Sequence, residues 1–250
     1  MPTITSITIT KNGAGTIGKC LDSLQFCDQR LVIDSGSTDG TQDIVTQRGA
    51  QLAYHDWLGF GPQKNFGLTL ATGDWIFWLD HDEEVTPELA AAVRQAIETD
   101  DADGYWVSRL SWFCGQPMRY SGWHPDWVLR VFRRTKGKWF GGLGHDHVMV
   151  DGKSEKLPGG LILHYPVNEL QDAVDKAIYY SNVGAKELID SGRKISFMTG
   201  ISRGFFAFFR TYVLQRGFLD GKRGFLLSVT NAEGTYYRYM KAWLAGQSRE

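Results

Sequence analysis

The sequence predicts an α/β fold: a mixed, mainly parallel sheet flanked by helices, with a C-terminal helical extension. Three observations carry that expectation. Short apolar strands alternate with helical spacings over the first 100 residues, the pattern of βαβ units. The run Trp75-Ile76-Phe77-Trp78-Leu79 passes directly into Asp80-His81-Asp82-Glu83-Glu84, as a buried strand does when it delivers polar residues to a sheet edge. Residues 193–250 lose the strand pattern and become basic and aromatic.

In order, Ile4 to Thr10 alternates apolar residues with Thr and Ser, and Lys11-Asn12-Gly13 ends the strand. Ile17, Leu21 and Leu24 fall at helical spacing. Leu31-Val32-Ile33 is a short strand running into the small polar loop Asp34 to Thr41. A helix follows, with Thr41 as its expected cap, and stops near Gly49. Gln51 to His55 reads as strand and 62–71 as a short helix. After the acidic stretch, Thr86 caps a helix that begins at Pro87 and ends near Thr99. Strands are expected at Gly104 to Phe113, Val128 to Arg133 and Gly159 to His164, with a glycine-rich polar loop over 141–147. Helices are expected over about 168–191, 196–216 and 222–245.

The chain of 250 residues is 42% hydrophobic, enough for one large domain or a domain with an appendage. The expected division is a body, 1–192, in two parts at 1–100 and 101–192, and a basic aromatic extension, 193–250. Net charge is −1, which argues against nucleic acid as a partner, but the extension carries +7 and the rest −8. That asymmetry points the tail at an anionic surface. Cys20, Cys27 and Cys114 have no metal-ligand spacing, and their odd number fits a reducing cytosol. No leader and no run long enough to span a bilayer is visible, so the expectation is a cytoplasmic protein.

Asp80 and Asp82, two apart at a strand tip with no basic neighbour in sequence, repel each other unless a cation sits between them. Hard divalent ions suit such oxygens. Glu83 and Glu84 read more simply as charges near a helix N-terminus. From local chemistry, Asp34 suits a turn as well as a base or ribose contact. No Walker motif and no GxGxxG follows the first strand.

Taken in order, Thr10-Lys11-Asn12, Val32-Ile33-Asp34-Ser35-Gly36-Ser37-Thr38-Asp39-Gly40-Thr41, Gln63-Lys64-Asn65 and Leu79-Asp80-His81-Asp82-Glu83 resemble the family 2 glycosyltransferases. Gly122-Trp123-His124-Pro125-Asp126-Trp127, Arg130-Val131-Phe132-Arg133-Arg134, Gly144-His145-Asp146, His164-Tyr165 and Arg216-Gly217-Phe218-Leu219-Asp220-Gly221 resemble one branch. Its members are lipopolysaccharide core β-1,4-glucosyltransferases acting on inner-core heptose. The resemblance implies the GT-A nucleotide-diphospho-sugar transferase fold, with 1–192 as the catalytic domain, 1–100 its nucleotide-binding half and 101–192 its acceptor half, and an inverting transfer of a hexose, glucose from UDP-glucose. It implies that Lys11, Asn12, Asp34, Lys64 and Asp80 bind the sugar nucleotide, and that Asp82 holds Mg²⁺ or Mn²⁺. His164 is the choice for a further metal ligand, against the simpler reading of a core histidine.

Relatives usually have His-Glu where this chain has His145-Asp146, which makes Asp146 the candidate general base. They usually have Lys-Asn-Glu where this chain has Lys11-Asn12-Gly13, so any side-chain contact from position 13 is lost. Trp123, Asp126, Trp127 and Arg130 are candidates for the acceptor, a lipid-linked core oligosaccharide: rings stack on sugars and Arg pairs with phosphates. The tryptophans equally suit a core. Ser202 to Tyr212 suits a helix lying in a membrane interface, which implies a peripheral protein on the inner membrane. The tail equally suits packing on the catalytic part or a homodimer interface. The competing functions are another sugar nucleotide or a polysaccharide acceptor, or a non-catalytic sugar- or lipid-binding protein.

Overall fold

The computed structural model describes residues 1–141 and 146–247, the side chain of Asp146 excepted. It has two compact units. The first comprises Met1–Arg109 and Asp126–His164; the second holds the remainder. The expected division at 192/193 falls inside the second unit.

The first unit opens with β1 (Ile4–Thr10), α1 (Ile17–Ser23), β2 (Gln29–Asp34), α2 (Thr41–Gln47), β3 (Gln51–Tyr54), α3 (Phe60–Leu70) and β4 (Trp75–Asp80). β1 pairs in parallel with both β2 and β4, and β2 with β3. All seven residues of β1 are buried, so its alternating Thr and Ser do not mark a wet face. Two of the hydroxyls bond inside: Thr5 Oγ1 donates to Gln29 Oε1 at 2.7 Å and Ser6 Oγ to Gln29 O at 3.5 Å. The three parallel strands β1, β2 and β4 end at Thr10, Asp34 and Asp80, so their C-terminal tips form one edge.

β5 (Glu83–Val85) and α4 (Pro87–Thr99) follow. Thr86 caps α4 through Leu89 N–H, with Pro87 in its first turn, as expected. Thr41 differs. It is the first residue of α2, and Gly40, at φ 91°, takes the cap position without a side-chain bond. The Thr41 hydroxyl instead joins Asp39 and accepts Gly13 N–H at 2.9 Å, tying two strand-end loops together.

The sheet then becomes antiparallel. β6 (Gly104–Phe113), β7 (Gln116–Pro117), β8 (Asp126–Arg133), β9 (Gly137–Gly141), β10 (Asp146–Val150) and β11 (Ser154–Val167) complete the strands. Among the described residues the large sheet runs β3-β2-β1-β4-β8-β6-β11-β5, with β7 on β6. β9 and β10 form a separate hairpin across part of the expected polar loop. Trp139 of β9, 2% exposed, packs edge-on against Phe132 and Trp78, which explains a strand where glycines suggest a loop.

The second unit contains α5 (Leu170–Asp190), α6 (Phe197–Phe209) and α7 (Gly221–Gln247). Its small core holds Phe113, Met118, Val167, Ala173 and Leu227, with Trp123 packed against it.

Candidate active site

The strand-tip acids are enclosed by cations that sequence proximity does not reveal. Arg130 comes from the middle of β8, between buried Leu129 and Val131, and is 1% exposed. Its Nη2 lies 2.5 Å from Glu83 Oε1 and 3.5 Å from Asp80 Oδ2. Lys64, on α3 and also buried, places Nζ 3.8 Å from Asp80 Oδ1. Both cations lie against one ring: Arg130 Cζ is 3.5 Å and Lys64 Nζ 3.8 Å from the centroid of Trp78. Trp78 is fixed in turn by its indole N–H, which donates to Leu129 O at 2.8 Å. Arg130 Nε and Nη1 are buried without a hydrogen-bond partner among the described residues, so the ring face takes up part of that charge.

Asp80 is therefore held by protein cations on both oxygens. Burial pushes its carboxyl up, but Lys64 and Arg130, helped by His164 and Arg109, hold it below the ordinary carboxylate range. The two acids do not depend on a bound ion alone to relieve their repulsion, a correction to the expectation from local sequence.

Glu83 is also corrected. It is not a helix-end charge but a fully buried hub in β5. It accepts from Arg130, from Arg109 Nη1 at 3.1 Å and from Asp80 N–H at 3.1 Å. Arg109 in turn pairs with Asp126 at 2.8 Å. Arg130 and Asp126, expected at the acceptor, thus belong to a chain of ion pairs: Asp80, Arg130, Glu83, Arg109, Asp126. Arg130 is turned inward from a strand because β8 lies beside β4 and carries it beneath Trp78. The sequence signal was an arginine in the otherwise apolar run Leu129-Arg130-Val131-Phe132.

Asp82 lies beside this network, in the turn between β4 and β5. His164 reaches it from 82 positions away because β11 pairs antiparallel with β5, placing His164 opposite Glu83. His164 Nε2 lies 3.6 Å from Asp82 Oδ2. Burial raises the Asp82 carboxyl, but His164, with a smaller contribution from His81, holds it low. A carboxylate and an imidazole this close can share one divalent ion, a donor pair suited to Mn²⁺. Among the described residues no cluster of three metal-binding side chains gathers, so such an ion would take its other oxygens from substrate or water.

At the neighbouring tip, Asp34 is 1% exposed and engaged by its own loop. It accepts from the N–H groups of Gly36 and Ser37, from the Ser37 hydroxyl and from Gln42 Nε2. Asn12, at φ 55°, joins the same loop: its N–H donates to Ser37 Oγ and its Oδ1 accepts from Thr38 N–H. Lys11 lies exposed at the end of β1. The glycine at 13 has a steric reason. A Cβ there would stand 2.6 Å from Thr10 Oγ1 and 2.9 Å from His81 Nδ1. His81 fills that space, bonded to Thr16 Oγ1 at 2.9 Å.

Trp123 packs edge-to-face on Phe113, with ring centroids 6.0 Å apart, in the core of the second unit. Asp146 begins β10, but its side chain, like His145, lies outside the described residues.

The family model for glycosyl transferase family 2 matches residues 5–150, which contain β2 through β10, all but the first residue of β1, and all of this network except His164. An uncharacterized glycosyltransferase of Rickettsia felis is 28% identical over 96% of this chain and 89% of its own length. The lipopolysaccharide core biosynthesis glycosyltransferase LpsC of Rhizobium meliloti is 28% identical over 96% of this chain and 90% of its own. The crystal structure of S. aureus TarS overlays with a TM-score of 0.50 at 14% identity, covering 86% of this chain and 45% of TarS, a likeness of fold alone. With a mixed sheet of GT-A type and a family match over more than half its length, the chain belongs to glycosyl transferase family 2 and is a glycosyltransferase.

Proposed function

We propose that this protein is an inverting, metal-dependent transferase that moves a hexose, glucose from UDP-glucose, to a heptose of the lipopolysaccharide inner core. It works at the cytoplasmic face of the inner membrane. Residues 1–192 carry the transfer, and 193–250 face an anionic membrane surface. The acceptor class is supported by the similarity to LpsC over nearly the full chain.

The observation that carries metal dependence is the 3.6 Å approach of His164 to Asp82 beside the strand tips. These two residues would hold Mg²⁺ or Mn²⁺. A bound divalent ion supplies positive charge to the departing nucleoside diphosphate. Asp34 and the Asn12 loop bind the nucleoside, and Asp80 orients the ribose side. Lys64 lies at the phosphate side, its charge held in place by Asp80 and Trp78. Asp146 accepts the proton of the attacking acceptor hydroxyl as the new glycosidic bond forms.

The test is Mn²⁺ binding in the presence of UDP, followed by electron paramagnetic resonance. Asp82→Ala and His164→Ala are expected to weaken it by roughly tenfold or more, as loss of a ligand to a two-residue site should. Mn²⁺ affinity unchanged in both variants, or full transfer in EDTA, overturns the metal role.

A further inference from the structure

In the second unit, α6 runs into a π-helical turn, Arg210–Leu214, and the chain returns through a 3₁₀ turn, Gly217–Asp220, into α7. The tip of this helical hairpin is built rigidly. Asp220, 5% exposed, accepts from the N–H groups of Arg119 and Tyr120 and from Ser121 Oγ at 2.8 Å. Gln116 Nε2 donates to Asp220 O, and Ser121 N–H to Gln215 O. Glycine is required at the crossing. A Cβ on Gly217 would stand 2.7 Å from Thr211 O, and one on Gly224 only 1.9 Å from Gly217 O.

This fixed tip points bulky apolar side chains outward: Val213 is 42% exposed, Leu214 59%, Phe218 49% and Leu219 52%. On the flanking helices Phe205, Phe206 and Phe225 are also exposed. Soluble surfaces rarely expose so many bulky apolar side chains along one short segment without an occupant. Between them stand exposed cations, Arg203, Arg210, Arg216, Lys222 and Arg223. The only acid from 191 to 232 is Asp220, and it is buried.

We infer that the α6–α7 hairpin tip is a membrane-insertion element, with Leu214, Phe218 and Leu219 entering an anionic phospholipid bilayer and the surrounding Arg and Lys resting among its headgroups. The inference deepens the membrane association proposed above and rests on that part of it. Charge complementarity selects the occupant. Anionic headgroups match five cations with no exposed acid, whereas a second copy placed face to face would set cation against cation. Among the described residues no helix is long and apolar enough to cross a membrane, so the element lies at the interface.

The test uses the full chain with vesicles of equimolar phosphatidylethanolamine and phosphatidylglycerol, and with phosphatidylcholine alone. Wild type is expected to float with the anionic vesicles. Leu214→Ser/Phe218→Ser/Leu219→Ser is expected to lower that partition roughly 100-fold while leaving UDP binding unchanged. Independently, Leu219→Cys in a Cys114→Ser background, labelled with an environment-sensitive fluorophore, is expected to shift to the blue and to be quenched by lipids spin-labelled in the acyl chain. That second variant decides the matter if the triple variant misfolds. Equal flotation of the folded triple variant, or a label blind to vesicles, overturns the inference. A lipid-free dimer dissociated by the triple substitution, or flotation with phosphatidylcholine equal to that with anionic vesicles, overturns it as well. Tip-dependent flotation without sugar transfer would leave this inference standing and the transferase reading failed.

Discussion

Arg130 and Glu83 meet 2.5 Å apart, Nη2 to Oε1, with both side chains closed to solvent. Neither is at the surface of the cleft, yet together they fix the tip of β4, since Glu83 also accepts Asp80 N–H and Arg130 also faces Asp80. Removing one partner leaves an uncompensated buried charge, which costs about 3–5 kcal/mol. Glu83→Ala leaves buried Arg130 with only the longer approach to Asp80, and Arg109 with Asp126 alone, and is expected to lose an amount in that range in urea unfolding. Arg130→Met leaves Glu83 with Arg109, and so loses less. The double variant is expected to be more stable than the sum of the singles by about 1–3 kcal/mol. Strict additivity would mean that the pair does not act as a unit.

How far the sequence could be read follows from sequence separation. The strands and helices of the first 100 residues other than β5, the Thr86 cap and the strand-tip carboxylates were legible because each depends on neighbours. Asp82 and His164 were paired only through the family resemblance, because no local pattern reveals the β5–β11 register on which their meeting depends. Glu83 was misread: its two arginines come from β6 and β8, 26 and 47 positions away. The β9–β10 hairpin was missed because one buried tryptophan, Trp139, outweighs the glycines around it.

Asp146→Asn removes a proton acceptor and keeps the size of the side chain. Turnover with saturating UDP-sugar and acceptor is expected to fall by roughly 10²–10⁴-fold, while UDP affinity by calorimetry stays within about twofold. Parallel losses in both would assign Asp146 to structure or to donor binding.

Asp28 stabilises the first unit in a pH-dependent way. Partial burial pushes its carboxyl up, but Arg94 and the N–H of Ile4 hold it below its ordinary value. A depressed carboxylate adds stability that is fully present above its unfolded value of about 3.9 and is lost as pH falls through the folded value. Asp28→Asn is expected to cost about 0.5–1 kcal/mol at neutral pH, kept small because the side chain is 45% exposed. In urea titrations the gap between wild type and variant should close below about pH 4. A gap constant down to the lowest pH would mean that the charge contributes nothing.

The thiols should separate by accessibility. Burial pushes the Cys27 thiol up to about 12 and the buried Cys20 thiol well above its ordinary value. Cys114 is only partly buried and is raised less. At pH 8 the native protein is expected to react with Ellman's reagent at one site, Cys114, and at all three in denaturant. Two or three fast native thiols would mean that the core around α1 opens readily.

Gly13 gives the sharpest packing test. Its missing side chain leaves room for His81, whose Nδ1 would lie 2.9 Å from a Cβ at that position, and for Thr10 Oγ1 at 2.6 Å. Gly13→Ala is expected to cost about 1–3 kcal/mol by overpacking. His81 is the neighbour that can give way, since Thr10 is locked in β1. In the background of His81→Ala, the same substitution should therefore cost measurably less, with a coupling of at least about 0.5 kcal/mol. The carboxylate that relatives usually carry here would meet the same obstruction, so Gly13→Glu should destabilise as much as Gly13→Ala or more, and should not tighten UDP binding. If Gly13→Glu folds with wild-type stability, the space is not occupied as the structure has it, and the glycine needs another reason.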